Sequence, residues 1–257
     1  MPIARGLLML ASIGICSRLP AAPSTPDISP TPSAAAGEAQ SDARKSRGAS
    51  HDAAELVRTG TAFFVSREGY MITSAHIVHG CLRANIYPSD GSDRTARIVA
   101  LDRRTDLGLL RVDGAVPEAA LFPGAGGLPT GATITTVGFG ARPEEPRYAV
   151  VTPGRFAEFA PGPQGVPLIE FGATLHEGNS GGPIVDEEGV LQGVVIGRYT
   201  AQPNVSVAVA AQDIKEFLSA NRVHYTIGIP PRGVRDDRDA LVRRMSALVQ
   251  CRHDAPR

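Results

Sequence analysis

Tryptophan is absent from this chain, cysteine occurs three times, and neither sign of charge is in excess, with Lys plus Arg and Asp plus Glu at 26 each. The balance excludes a global field that would gather nucleic acid or an anionic membrane. No cluster of metal-ligating side chains is evident, and no cofactor is expected. The apolar stretch Gly6 to Ile15 falls short of the ~20 residues that span a bilayer, so no transmembrane helix is expected in the mature form. What is plentiful is turn chemistry: 28 glycines and 21 prolines among 257 residues fit an all-β protein better than a helical one. That length is ample for one large β domain or two small ones.

Arg5 ahead of the apolar stretch reads as an export signal over residues 1–22, which points to a periplasmic or secreted mature protein. A small-x-small cleavage site is missing, Ser17 and Ala22 being the nearest options. A lipid anchor at Cys16 is the alternative, although Ile15 stands where a lipobox has a small residue. Residues 23–52 are rich in Pro, Ala and Ser with almost no large apolar side chain. Such a segment cannot bury enough surface to offset its ordering entropy and reads as a linker.

Chemistry concentrates in Gly178-Asn179-Ser180-Gly181-Gly182-Pro183, one serine among glycines that let backbone approach a reacting carbonyl. Serine is a weak nucleophile until a base and a group orienting that base stand beside it. His76, in Thr73-Ser74-Ala75-His76, is the candidate base; His79 is its rival on the same turn. Asp106 opens Asp106-Leu107-Gly108-Leu109-Leu110, and Asp102 is its rival. A carboxylate at the start of a buried strand is costly without a partner such as an imidazole N–H, which favours Asp106. His176 is not needed.

At these residues the chain resembles the trypsin-like serine peptidases, specifically the HtrA-type bacterial branch. The resemblance runs through Thr61-Ala62-Phe63-Phe64-Val65, Thr73 to Val78, Arg104-Thr105-Asp106-Leu107, Val151-Thr152-Pro153-Gly154, Gly178 to Pro183 and Asn204 to Leu218. It implies an endopeptidase with a His76, Asp106, Ser180 triad, polypeptide substrates, and an oxyanion hole from the backbone of Gly178 and Ser180 with Asn179 turning the loop. It also implies two six-stranded antiparallel barrels with the site between them, followed by a helix. Thr174 would lie at the base of the primary pocket, and Val194, Val195, Ile196, Gly197 and Arg198 would form the strand along which substrate pairs. A neutral Thr174 favours small or medium apolar side chains over Lys or Arg.

Periodicity by itself supports only many short strands. Phe63 to Val65 and Tyr70 to Thr73 form a hairpin across Arg67-Glu68-Gly69; Ala84 to Tyr87, Thr95 to Leu101, Leu107 to Val112 and Thr133 to Phe139 continue the first barrel. Arg147 to Thr152, Arg155 to Phe159, Leu168 to Phe171, Pro183 to Val185, Val190 to Ile196 and Val205 to Val209 supply the second. The protease domain would cover 53–225. In the tail, 226–257, a helical pattern around Leu241 to Met245 precedes an apolar strand at Ala247 to Cys251, and about thirty-five residues after Asn221 are too few for the PDZ domain HtrA-type proteins usually carry. Outside the cytoplasm Cys81 and Cys251 are an even pair for which a disulfide is expected, two unpaired buried thiols being the alternative. Two other functions stay open at this point: a catalytically idle trypsin fold that binds partners, and an α/β-hydrolase esterase, because Gly178 to Gly182 also fits Gly-x-Ser-x-Gly.

Overall fold

The computed structural model describes residues 56–140, 148–202 and 204–253. The expected export signal, Cys16, the linker and residues 141–147 lie outside them. In chain order the first half holds β1 (Leu56–Phe64), β2 (Tyr70–Ser74), the one-turn helix α1 (Ala75–Val78), β3 (Arg83–Pro88), β4 (Arg94–Asp102), β5 (Leu107–Val112) and the short β6 (Leu121–Phe122). The second half holds β7 (Thr133–Phe139), β8 (Ala149–Pro161), β9 (Pro167–Gly172), β10 (Pro183–Val185), β11 (Leu191–Arg198) and β12 (Val205–Ala210). After these come α2 (Ala211–Ala220), β13 (Thr226–Ile227), α3 (Arg232–Arg235), α4 (Arg238–Arg244) and β14 (Ser246–His253).

Two closed six-stranded barrels result, in the orders β1-β14-β3-β4-β5-β2 and β10-β11-β12-β9-β8-β7. The all-β double barrel is the expected fold, and it sets aside the α/β-hydrolase alternative, which requires a parallel sheet and a strand-turn-helix at the serine. The β1–β2 turn depends on Gly69: its φ is 87°, and a Cβ there would lie 2.5 Å from the Val112 carbonyl oxygen.

Membership of the barrels corrects the sequence reading at two places. β7 belongs to the second barrel, not the first, pairing with β8 and β10. The sixth stave of the first barrel is β14, inserted between β1 and β3, with Thr61 opposite Leu248 and Asn85 opposite Gln250. The two segments expected at 147–152 and 155–159 are halves of one strand. β8 pairs with β7 up to Arg155 and with β9 from Arg155 onward, so Pro153 sits where only one edge of the strand is in use. Cys81 and Cys251 are joined by a disulfide with Cα atoms 6.0 Å apart, which fixes β14 to the segment entering β3.

Strand alternation divides the apolar residues into three groups. Phe64, Met71, Ile86, Leu110 and Val249 fill the first barrel, and Ile134, Phe156, Phe171 and Ile184 fill the second. Residues of opposite parity, among them Phe63, Ile72, Leu109, Val137 and Val194, join the barrels, and α2 adds Ile214 and Leu218 from one face. The seam between the barrels is therefore packed, and side chains placed along it are held by both halves.

Candidate active site

Asp106 and His76 meet at the end of this seam. Asp106 takes the left-handed conformation, φ 55°, in the turn from β4 to β5. This turns its carbonyl onto the Ala75 N–H at 2.8 Å and its Oδ1 onto the His76 N–H at 2.9 Å, so one residue caps the start of α1 twice. Its Oδ2 lies 2.6 Å from His76 Nδ1. The contact selects the tautomer with Nδ1 protonated and leaves Nε2 as the acceptor. At the other end of α1, Arg58 donates to the His76 and His79 carbonyls at 3.1 and 3.4 Å. Neither rival shares this placement: His79 contacts Arg103, and Asp102 accepts from Thr105 Oγ1 and the Arg104 N–H.

The loop that carries Ser180 is wedged against both barrels. The Thr61 N–H donates to the Ser180 carbonyl at 2.8 Å, while the Thr61 hydroxyl donates to the Gly178 carbonyl at 2.6 Å and accepts from the Phe139 N–H at 3.2 Å. Gly181 has φ 84°, and a Cβ there would fall 2.0 Å from the Thr61 carbonyl oxygen. Asn179 is buried, with its N–H on the His176 carbonyl and its Oδ1 accepting from the His176 N–H at 2.9 Å. It lies flat on Gly138, where a Cβ would come within 2.4 Å of its Nδ2. Among the described residues, the Gly178 and Ser180 N–H groups donate to no protein acceptor, whereas those of Asn179, Gly181 and Gly182 are all engaged.

The sequence reading missed Thr61, Ser74 and Gly138 as supports. Thr61 and Ser74 lie inside the recognised segments, but only the packing assigns them work: Ser74 Oγ donates across the seam to the Val195 carbonyl at 3.1 Å. Along β11, Val194 and Val195 are buried, and the Val195 backbone is taken up by Gly181, Gly182 and Ser74. The last rung of β11 with β10 is Val194 opposite Pro183, and on the other side the register to β12 shifts between Val195 and Gly197, which places Ile196 at a bulge. Thr174 and His176 are exposed. At the end of β11 the Tyr199 hydroxyl donates to Glu170 at 2.7 Å; burial first, and then the carboxylate, raise the phenol pKa far above its usual value.

Beside the His76–Asp106 pair opens a cleft of about 240 Å³, lined by Arg103, Arg104, Gln164, Val166, Leu168 and Ile196. Asp213 is close enough to feel Arg104, yet burial, followed by repulsion from Glu216, raises its carboxyl pKa. Among the described residues no group of three or more His, Cys, Asp or Glu is placed to hold a metal ion.

A model of the trypsin-like peptidase domain matches residues 60–194. The chain belongs to the trypsin-like peptidase family. It is 29% identical over 142 residues to a probable periplasmic serine endoprotease, DegP-like, of Pseudomonas savastanoi pv. phaseolicola, a match covering 54% of this chain and 29% of that protein. Serine protease HTRA1 of Xenopus tropicalis is 28% identical over 192 residues, covering 73% and 41%. The chain thus spans less than half the length of these curated relatives. Among solved structures, the inactive form of the Rv3671c protease of M. tuberculosis superposes with a TM-score of 0.55 at 26% identity, covering 64% of this chain and 86% of that one. The HtrA-type protease AlgW, solved with a decapeptide, gives 0.56 at 25% identity, covering 63% and 51%.

Proposed function

We propose that this trypsin-like peptidase is an exported serine endopeptidase that cleaves polypeptides through an acyl-enzyme. The observation that carries the reading is the double capping of α1 by Asp106, which sets the His76 ring 2.6 Å from Asp106 Oδ2 with Nε2 free. Ser180 Oγ attacks the scissile carbonyl carbon while His76 Nε2 takes its proton, and Asp106 stabilises the imidazolium through Nδ1–H. Negative charge develops on the carbonyl oxygen, for which the unengaged N–H groups of Gly178 and Ser180 are the donors; one such donor contributes about 3 kcal/mol to the transition state. His76 then passes its proton to the leaving amine, the C–N bond breaks, and water repeats the sequence on the ester.

Substrate backbone adds to the edge at Ile196, Gly197 and Arg198, while Val194 and Val195 act from behind by holding the loop and the seam. Thr174, uncharged, is assigned to the primary pocket with small or medium apolar residues as its occupants. The periplasm or the exterior is the assigned location, supported by the export signal and the DegP-like relatives. Cleavage of a peptide library by the purified chain tests the reading. Ser180→Ala should abolish turnover with the fold intact, and His76→Ala should be nearly as severe, because triad members act as a unit. Unimpaired turnover by Ser180→Ala would overturn it.

A further inference from the structure

The neutral total charge conceals a local excess. Across three adjacent strands of the first barrel, Arg83 of β3 stands directly opposite Arg97 of β4, and Arg97 directly opposite Arg111 of β5. Tyr70 of β2 ends the row opposite Arg111. Like charges placed directly opposite one another destabilise a sheet. Arg83 and Arg97 are exposed and, among the described residues, make no ion pair; the nearby Asp90 is already paired with Arg94. With strands ~4.8 Å apart, the three positions span about 10 Å. A row of this kind calls for an anionic partner.

Apolar exposure in the same place decides which partner. Leu82, next to Arg83, is 92% exposed, the most exposed large apolar side chain among the described residues, and it is held out between β3 and the disulfide at Cys81. Val99 is 42% exposed at the bulge of β4, two residues beyond Arg97. A phosphodiester chain offers these aliphatic groups nothing, and stacking on bases calls for free aromatic faces. The aromatic ring in the row, Tyr70, is covered by the Arg111 guanidinium at 4.9 Å from its centroid. A bilayer interface accepts both features, with phosphates for the arginines and the acyl boundary for the leucine.

We propose that the β3–β4–β5 face of the first barrel docks on an anionic lipid surface, with Leu82 entering the interfacial layer. The proposal is independent of the proteolytic reading. Because the chain has no tryptophan, Leu82→Trp in the full chain is a reporter without background. Added vesicles of phosphatidylcholine with about a third phosphatidylglycerol should shift its emission to the blue, and brominated acyl chains should quench it. Pure phosphatidylcholine vesicles should leave the emission that of an exposed indole. Arg83→Gln and Arg97→Gln should each weaken vesicle affinity about fivefold, and the effect should fade as salt shortens the screening length. Co-sedimentation of the two arginine variants without the tryptophan checks the same loss should Leu82→Trp fold poorly. An unshifted emission on anionic vesicles, an equal shift on neutral ones, or a larger response to duplex DNA at the same ionic strength would overturn the proposal.

Discussion

Replacing both Cys81 and Cys251 with alanine should leave the native barrel assembled while making it much easier to unfold. The bridge closes a loop of 170 residues. In the chain-entropy account, a cross-link over a loop of that size removes about 17 cal/mol/K from the unfolded ensemble, or about 5 kcal/mol at 25 °C before native strain is deducted. That is a third or more of the 5–15 kcal/mol that ordinarily separates native from unfolded chains. The native fold should survive because β14 is held by two ladders, running along β1 from Leu56 to Phe63 and along β3 from Asn85 to Pro88. Its inward residues Ala247 and Val249 stay buried in the first barrel. For a domain of this size each kcal/mol moves the melting midpoint by about 2–4 °C, so a drop of about 10–20 °C is expected. Urea unfolding followed by circular dichroism should also give a steeper m-value, because the unbridged chain exposes more surface when unfolded. Coincident melts and m-values for the wild type and the double variant would refute the reasoning.

Gly138→Ala should cost activity out of proportion to stability. Its Cβ must displace Asn179, and a shift of about 1 Å at the nucleophile loop corresponds to roughly a hundredfold loss in rate, against ~1–3 kcal/mol of overpacking; normal peptide turnover would contradict this. Asp106→Asn keeps a residue that tolerates the left-handed turn but presents an N–H to His76 Nδ1, moving the ring proton to Nε2, so kcat should fall by about four orders of magnitude with little change in melting. Turnover within tenfold of wild type would show that the ring is oriented by something else. The Asp90 carboxyl is held below its usual range, first by the Ser92 hydroxyl and then by the Ser92 N–H. A depressed pKa contributes stability that is present above the unfolded value near 3.8 and is lost as pH falls through the folded value. The stability difference between wild type and Asp90→Asn should therefore exist at neutral pH and vanish in strong acid; a constant difference would contradict the assignment.

Local chemistry and the Cys81–Cys251 bridge were legible in the sequence, whereas the partners of individual strands were not. Alternation located nearly every strand, and the cost of a buried carboxylate singled out Asp106, which the structure brings to His76. Nothing in Thr133 to Phe139 says which barrel it joins, because a strand's hydrophobic pattern records burial on a face and not the identity of its neighbours. The first barrel lacks a sixth stave until Ser246–His253 arrives from far along the chain. The segments expected at 147–152 and 155–159 are one strand because its two halves pair on different edges, which leaves Pro153, without a ladder donor, where only one edge is in use. Thr61 and Gly138 escaped notice because their value lies in a hydroxyl shared by three segments and in a missing Cβ, neither of which leaves a pattern in one sequence.

The central claim is that His76 and Asp106 make Ser180 a nucleophile facing an oxyanion hole, and covalent labelling with a phosphonofluoridate tests it most directly. The reagent places a tetrahedral phosphorus, with an oxygen where the oxyanion would sit, on an activated serine alone. Mass spectrometry of a digest should find one adduct per chain on Ser180, formed quickly by the wild type and drastically slowed in His76→Ala. No adduct, an adduct on another serine, or labelling at an equal rate without the imidazole would contradict the account.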